Sequence, residues 1–325
     1  MYPRISDFIN DITGWSLCLP IQSFGFFVAI AFMVAYWTLT QEIKRMQGLH
    51  IFPTSKVKVK QGGPVPEWEV LLSFVLFGIL GYKLGLMFDG YGIFCENPQE
   101  AILSTEGSLL GGIIGAVLGG GYRFWQYWKQ RNDKPQEVEE EQGLLEEMGT
   151  ILTIAFVAGL VGAKIFHNLE NWDTFIKAPI DALLSFDGLT FYGGFLVAAV
   201  GIAWFLKRKG YVILPFADAI APGLILGYGV GRIGCQVAGD GDWGIVNTTP
   251  KPDWLSWAPD WVWAFDYPNN VLGTCDPDLN KAPRINCDPG QIPQLVETVF
   301  PTPCYETLMA LLIFAYQLPS VVWEY

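Results

Sequence analysis

One arginine and two aspartates are the residues of this chain most suited to chemistry. Arg232 lies near the end of an apolar run and is followed by Asp240 and Asp242. A charge at membrane depth is costly and normally faces a cavity or a partner. Closely spaced glycines in this run let helices or lipid headgroups approach the backbone; they are Gly223, Gly227, Gly229, Gly231 and Gly234. The pattern predicts a polar site inside a membrane protein. The alternative is an interfacial arginine that snorkels beside an ordinary packing face.

The elements that must position these residues are apolar helices. The chain is 51% hydrophobic and only 16% charged, against roughly 25% charged residues in soluble domains. Seven apolar runs, with their flanking residues, are long enough to span a bilayer: Ile21–Leu39, Val70–Phe88, Leu109–Phe124, Ile151–Phe166, Phe191–Leu206, Leu214–Val237 and Tyr305–Trp323. We therefore expect an all-α integral membrane protein with about seven transmembrane helices. The first run lacks a small-residue cleavage site, so we expect a retained helix rather than a cleaved signal.

Lysine and arginine placement predicts the orientation of the helices. The connections after the first, third and fifth runs hold most of the basic residues, which places them in the cytoplasm, with the N-terminus outside and the C-terminus inside. Within a single polytopic domain of residues 1–325, we expect an acidic cytoplasmic linker at 126–148 and an irregular periplasmic loop at 240–303. The net charge of −12 does not suggest a nucleic-acid partner.

The chain contains an internal repeat, so that residues 66–125 form a duplicated helix pair. Glycines and one lysine of the first copy recur in register in the second: Gly78, Gly81 and Lys83 correspond to Gly159, Gly162 and Lys164, and Gly111-Gly112 to Gly193-Gly194 after a one-residue insertion. The two copies run in the same direction. Because parallel repeats also occur in transporters, the repeat leaves open a small transporter or an enzyme enlarged by local duplication.

The cysteines and histidines limit the metal chemistry of the chain. Cys275 and Cys287 lie in the predicted outer loop, where an oxidising compartment would let them pair. The histidines are His50 and His167, and no Cys/His metal-ligand spacing is present. The sequence therefore predicts no metal site.

Four blocks of sequence together span most of the chain and resemble one known family. They are LPIQSFGFFVAIAFMVA (19–35), GLVGAKIF with NWDTFIKAP and GLTFYGGFLVA (159–198), DAIAPGLILGYGVGRIGCQVAGDGDWG (218–244) and FPTPCYETLM (300–309). The chain resembles the prolipoprotein diacylglyceryl transferase family, and the third block is similar to the family's signature. The resemblance implies an enzyme of the bacterial cytoplasmic (inner) membrane without a cofactor. It would transfer the diacylglyceryl group of phosphatidylglycerol to the lipobox cysteine of prolipoprotein signal peptides, among membrane lipids, as the first step of lipoprotein maturation.

The chain departs from the family pattern at several polar positions. The family's tyrosine, histidine, asparagine and arginine fall on Phe24, Tyr192, Cys235 and Val299. The family plan has no counterpart of residues 66–125, and it continues with two more helices, so we expect a truncated product ending at Tyr325. These departures keep a second hypothesis open, a catalytically inactive homologue that binds lipid or lipoprotein.

The implied reaction needs a cation and hydrogen-bond donors to hold the phosphodiester, because the leaving group carries charge. Arg232 is the candidate cation. Backbone amides at the glycines are expected to assist it: Gly193, Gly194, Gly231 and Gly234. Lys164 falls where the family usually has an arginine, and we expect it to bind the lipid headgroup; the alternative is that it snorkels.

The reaction also needs a group that helps to remove the thiol proton. Tyr192, Asp240, Asp242 and Glu306 are the candidates, and the signature's glutamate falls on Asp240 or Asp242. Each has a structural alternative: an interfacial aromatic ring for Tyr192, a turn in the outer loop for the aspartates, and an ion pair with Arg232 for Glu306. Sequence spacing does not choose among them.

Overall fold

The computed structural model describes residues 1–17, 19, 21–61, 63–89, 104–131, 135–184, 190–279, 287 and 290–322. The protein is mostly helical, and each of the seven predicted runs forms a helix. The elements in chain order are α1 (Ile5–Thr13), α2 (Ser23–Gly48), β1 (Ser55–Gln61), α3 (Glu67–Asp89), α4 (Leu109–Gly115), a π-helical turn (Ala116–Gly120), α5 (Gly121–Gln130), β2 (Gln136–Gln142), α6 (Met148–Glu170), α7 (Trp172–Lys177), α8 (Pro179–Leu184), α9 (Phe191–Lys209), α10 (Ile213–Ala238) and α11 (Thr302–Val322).

Among the described residues, five helices are long and apolar enough to cross a membrane: α2, α3, α6, α9 and α10. Much of their apolar surface is not covered by the rest of the chain, as at Phe32, Leu71 and Phe156. Exposed apolar area on this scale is not typical of soluble monomers, and a bilayer would cover it. The protein is therefore a helical membrane protein.

The chain divides into two compact units. The first comprises Met1–Ile30, Lys58–Glu140 and Gly229–Met309, and the second comprises Ala31–Val57, Glu141–Tyr228 and Ala310–Tyr325. Each unit has a core of its own. In the second unit Ile43, Leu144 and Leu206 are fully buried in one cluster. In the first unit, Tyr267 and Val299 are the most buried members of a cluster in the loop 240–303.

Glycines set the distance between two pairs of packed helices. In the second unit, a Cβ atom added to Gly162 of α6 would lie 2.5 Å from the carbonyl oxygen of Gly193 in α9. In the first unit, Gly81 of α3 contacts the backbone of Gly111 in α4 in the same way. These are equivalent positions of the sequence repeat. Small residues at both places let the helix backbones touch, which is the usual basis of close helix packing in membranes.

A two-stranded sheet of β1 and β2 is a feature that the sequence analysis did not predict. Strand β2 lies within residues 126–148, the segment that the sequence predicts as an acidic linker. Lys56 and Lys58 alternate along β1 as Glu137 and Glu139 do along β2. Opposite charges that face each other across strands favour pairing, so the two strands are compatible in charge.

The described part of the loop 240–303 is irregular, as predicted, apart from short 3₁₀ turns at Asp253–Leu255 and Asp260–Val262. Cys275 and Cys287 form a disulfide with their Cα atoms 5.2 Å apart, which confirms the predicted pairing. Such a bond reduces the conformational freedom of the unfolded loop.

The glycine contact between α6 and α9 generates a stability prediction. Gly162→Ala places a methyl group against the backbone of Gly193, so we expect it to lower the free energy of unfolding by roughly 1–3 kcal/mol. Gly159→Ala, one turn earlier in the same helix, is the matched control, because a Cβ atom there meets nothing within 4 Å. Thermal unfolding of both variants in detergent tests this expectation. Equal melting temperatures would show that the contact does not limit the approach of the helices.

Candidate active site

The end of α10 brings Arg232 and the two aspartates together. The helix ends at Ala238, and Gly239 follows with a positive φ of 64°, its amide donating to the Cys235 carbonyl. Gly241 has a φ of 98°, a conformation that L side chains rarely adopt. These two glycines turn the chain back over the helix end. Asp242 can therefore reach Arg232, although ten residues separate them in sequence.

The guanidinium group of Arg232 contacts two carboxylates. Nη1 donates to Oδ2 of Asp242 at 2.5 Å, and Nη2 donates to the Asp242 carbonyl at 3.1 Å and to Oε1 of Glu306 at 3.2 Å. Nε lies 2.7 Å from Oε2 of Glu306 but makes no hydrogen bond to a described residue. The close approach at Nε is thus an ion pair whose N–H is poorly aligned.

Helix α11 places Glu306 beside α10. Thr307 donates through its hydroxyl to the carbonyl of Gly229, at 3.1 Å. Thr302, the first residue of α11, donates in the same way to the carbonyl of Asp242, at 3.2 Å. The two hydroxyls fix the first two turns of α11 against the last third of α10 and the loop that follows it. Glu306 is thereby held where its carboxylate meets the guanidinium.

The three charged side chains differ in exposure. Arg232 is 12% exposed, Glu306 34% and Asp242 64%. A nearly buried guanidinium requires compensation, since an unpaired buried charge is costly. Glu306 supplies the more buried contact, whereas Asp242 lies largely in solvent. Asp242 is therefore the partner that an incoming anion can displace with the smaller loss.

Cys235 and Asp240 complete the group around Arg232. The ligand-type atoms of Cys235, Asp240 and Asp242 all lie within 4.8 Å of one another. Arg232 donates to the Cys235 sulfur at 3.5 Å as well as to Asp242. A metal ion there would compete with the guanidinium for Cys235 and Asp242, which the guanidinium already contacts. The two cations would also repel each other. The sequence prediction of no metal site stays a prediction.

Asp240 also shapes the loop. Its Oδ1 accepts a hydrogen bond from the backbone amide of Asp242 at 3.3 Å, the contact expected of an aspartate in a turn. Of the structural alternatives, the Asp240 turn and the Glu306 ion pair are thus both present as contacts. Neither contact decides whether these carboxylates act in the reaction, so their catalytic roles stay predictions.

The other predicted site residues have different settings. In the second unit, Tyr192 is largely exposed in the first turn of α9, beside Gly193 and Gly194, while Lys164 is half-buried in α6. The amide of Gly194 donates to the Thr190 carbonyl at 3.2 Å, so it is already engaged.

Gly231 and Gly234 lie inside α10, in the first unit. Backbone amides in a helix interior are used by the helix itself, which leaves them unsuited to holding a phosphate. A Cβ atom on Gly234 would contact Phe27, at 2.9 Å, so this glycine serves close packing of α10 on α2. The expectation that these two amides assist Arg232 is therefore not supported by their positions.

Sequence reasoning missed Tyr267. This side chain is 1% exposed, and its hydroxyl donates to Oε1 of Gln236 in α10 at 2.8 Å. Burial raises the pKa of the Tyr267 hydroxyl above its ordinary value, so the hydroxyl stays a hydrogen-bond donor at alkaline as well as neutral pH. The contact holds the loop 240–303 to the helix end one turn beyond Arg232. No signal in the sequence pointed to it, because 31 residues separate the two partners.

The fold and the site together define a helical membrane protein with an ion-paired arginine where an apolar helix meets a polar loop. The sequence profile of the prolipoprotein diacylglyceryl transferase family matches residues 122–322, more than half of the chain. The chain belongs to this family, as its resemblance in sequence predicted.

Several relatives are named phosphatidylglycerol–prolipoprotein diacylglyceryl transferase. One from Leptospira interrogans is 32% identical over 141 residues, covering 36% of this chain and 44% of the relative. One from Thermus thermophilus is 34% identical, over 35% of this chain and 42% of the relative. One from Mycobacteroides abscessus is 29% identical, over 63% and 52%. The chain thus spans about half the length of these relatives. No solved structure matches it significantly.

The unequal exposure of the two carboxylates predicts unequal effects on stability. We expect Glu306→Gln to lower the free energy of unfolding by roughly 1–3 kcal/mol, less than a fully buried pair because solvent screens it in part. We expect Asp242→Asn to cost at most about 1 kcal/mol, as is usual for exposed ion pairs. Asp240→Asn, which keeps the turn acceptor, is the control. The measurement is the free energy of unfolding of each variant at low and at high salt. A larger loss for Asp242→Asn than for Glu306→Gln would contradict this ranking.

Proposed function

We propose that this protein transfers the diacylglyceryl group of phosphatidylglycerol to the cysteine thiol of prolipoproteins. The observation that carries the proposal is Arg232, a nearly buried cation at a helix end in a chain of this family. The names of the relatives supply the two substrates, a lipid with a phosphodiester and a protein. A fixed guanidinium is a suitable receptor for a phosphodiester, since its planar donors match phosphate oxygens in pairs.

In the proposed reaction the thiol sulfur attacks the glyceryl carbon that bears the phosphate. A sulfur–carbon bond forms, and the bond between that carbon and the ester oxygen of the phosphate breaks. Glycerol phosphate leaves with the bonding electrons. Arg232 stabilises the charge that develops on the departing phosphate. For this to occur the phosphate displaces the exposed carboxylate of Asp242, while Glu306 continues to hold the guanidinium in place.

A base must accept the thiol proton. Asp242 is a suitable candidate because displacement from Arg232 frees its carboxylate beside the reacting groups, and Asp240 lies next to it. Glu306 and Tyr192 stay candidates as well. Lys164 and the amide of Gly193 are proposed to contact the lipid headgroup.

We further propose that seven helices cross the bacterial cytoplasmic membrane, with the N-terminus outside and the C-terminus in the cytoplasm. Helices at all seven predicted runs support the count, and five of them have the length and composition of a span. The basic end of α9, at Lys207, Arg208 and Lys209, supports the direction, since such residues favour the cytoplasmic side. The acidic segment 126–148 then lies in the cytoplasm and the loop 240–303 outside.

A second candidate function is that of a homologue that binds phosphatidylglycerol or lipoprotein without transfer. The observation that favours it is the double pairing of Arg232, whose charge Asp242 and Glu306 together more than neutralise. Such a protein would bind the lipid but release no glycerol phosphate.

The test is complementation of a bacterial strain depleted of its own diacylglyceryl transferase. We expect the chain to restore growth and to shift a model prolipoprotein on a gel. We expect Arg232→Ala to lower the rate by about 10²–10³-fold, the usual effect of losing one oxyanion donor, and Arg232→Lys to recover only part of it, because lysine lacks the planar fork.

Arg208→Ala is the matched control, since this exposed arginine lies at the end of α9 and stacks on Trp204 rather than on a carboxylate. It should retain full activity. If the well-expressed chain binds phosphatidylglycerol but lipidates no prolipoprotein, the result would favour the second candidate function. Full lipidation by Arg232→Ala would remove Arg232 from the mechanism.

A further inference from the structure

The outer loop contains a small open β-edge a few residues after Asp242. Val246 and Val299 face each other in an antiparallel bridge, and Phe265 pairs with the other side of Val299. Val299 is thus the central member of three short extended segments and is fully buried. The bonds that flank the outer pair run from Asn247 to Thr298 and from Phe300 to Ile245, at 2.8 and 3.1 Å.

Val246 is left with its backbone pointing away from the other two segments. In an antiparallel bridge bonded in this way, the amide and carbonyl of the central residue face the opposite side. Neither group of Val246 bonds to any residue in the described part of the chain. An unpaired edge of this kind readily accepts another extended chain.

The open edge borders a cavity. Its volume is about 630 Å³, and its walls are Trp243, Ile245 and Val246 on one side and Pro277, Asp278 and Leu279 on the other. Trp243 donates through its indole N–H to the carbonyl of Pro277 at 2.9 Å, which fixes the two walls relative to each other. The cavity is of the size that holds small ligands or a few side chains, and its walls are partly apolar and partly polar.

Three further contacts make the cavity rigid before anything binds. Gly244 donates to the carbonyl of Phe300 at 2.9 Å, which anchors the wall that carries Ile245. The disulfide of Cys275 and Cys287 constrains the opposite wall, and the Cys275 carbonyl accepts from the amide of Val296 at 3.0 Å. A preformed groove loses little conformational entropy on binding, which favours recognition of an extended peptide.

We propose that this groove binds an extended peptide as an added β-strand, and that the peptide is the acceptor segment of the prolipoprotein. The second part rests on the function proposed above. Main-chain hydrogen bonds to Val246 would supply affinity, and the apolar parts of the walls would select alternate small or apolar side chains. Four residues separate Val246 from Asp242, which is at most about 14 Å of extended chain. A peptide paired at Val246 therefore reaches the Arg232 site with a thiol about four residues further along.

The first test is photo-crosslinking with the full chain in phosphatidylglycerol nanodiscs. The probe is a prolipoprotein signal peptide whose acceptor cysteine is replaced by serine, so that no transfer occurs. A photoreactive residue at Ile245, which is 79% exposed on the groove, should crosslink the peptide and be competed by unlabelled peptide. The same residue at Trp257, 81% exposed in the same loop but not in the groove, is the control. Equal crosslinking at both positions would overturn the proposal.

The second test separates the main chain from the side chain. Val246→Pro removes the free N–H, at an edge where proline is tolerated, and should weaken peptide binding by about tenfold, as expected for one lost hydrogen bond. Val246→Ala keeps the N–H, so it should bind the peptide more tightly than Val246→Pro does, although it also shortens one side chain of the groove wall. Phosphatidylglycerol binding, measured in parallel, should be the same in both variants. Equal peptide affinity in both would also overturn the proposal.

The two proposals can fail separately. Suppose that the peptide crosslinks at Ile245 and binds weakly to Val246→Pro, but the chain never lipidates it. This result would support the groove proposal and contradict the proposed transferase function. Lipidation with an unchanged KM for the peptide in Val246→Pro would retain the transferase and reject the groove.

Discussion

The charge of Arg232 is the constraint on which the rest of the site depends. A guanidinium near the end of an apolar helix needs compensating carboxylates, or its burial would cost several kcal/mol. One carboxylate comes from the loop just after the helix, through the positive-φ glycines 239 and 241, and the other from α11, more than seventy residues later. The loop between them must therefore return to the same helix end. Its disulfide, its small core around Tyr267 and the Tyr267–Gln236 bond make that return a fixed structure.

Close approach of helix backbones is the second constraint, and it is met by glycine in the same way twice. Gly81 with Gly111, and Gly162 with Gly193, place backbone against backbone within two separate helix pairs. In lipid, apolar side chains gain little from leaving one apolar environment for another, so contact area between helices has to come from close packing. The same contact at repeat-related positions agrees with residues 66–125 being a copy of the pair that follows. A duplicated helix pair would carry the same glycine contact, so no different packing would be needed.

Much of the fold could be predicted from hydropathy, because apolar runs of sufficient length have few structural options in a membrane. The predicted run Leu214–Val237 and the helix Ile213–Ala238 differ by one residue at each end. By contrast, α2 extends to Gly48, well past the predicted end at Leu39, since Glu42 pairs with Arg45 on a helix whose Ile43 stays fully buried. The prediction followed hydropathy alone and stopped at the first polar residues. The two-stranded sheet was missed for a related reason: its strands are polar, and they pair between segments that are distant in sequence.

The candidate site was predictable in its centre but not in its surroundings. The cost of a buried charge singled out Arg232, and Glu306 was named as its possible ion partner, because both facts follow from residue type. The contacts of Thr302, Thr307 and Tyr267 follow from the path of the loop, which local sequence does not reveal. That path also gives the two carboxylates unequal positions. Glu306 lies in α11, which the Thr302 and Thr307 hydroxyls hold in place, whereas Asp242 lies in an exposed turn. An arginine with one fixed and one displaceable partner can remain compensated at rest and still offer its outer donors to a phosphate, which two fixed partners would prevent.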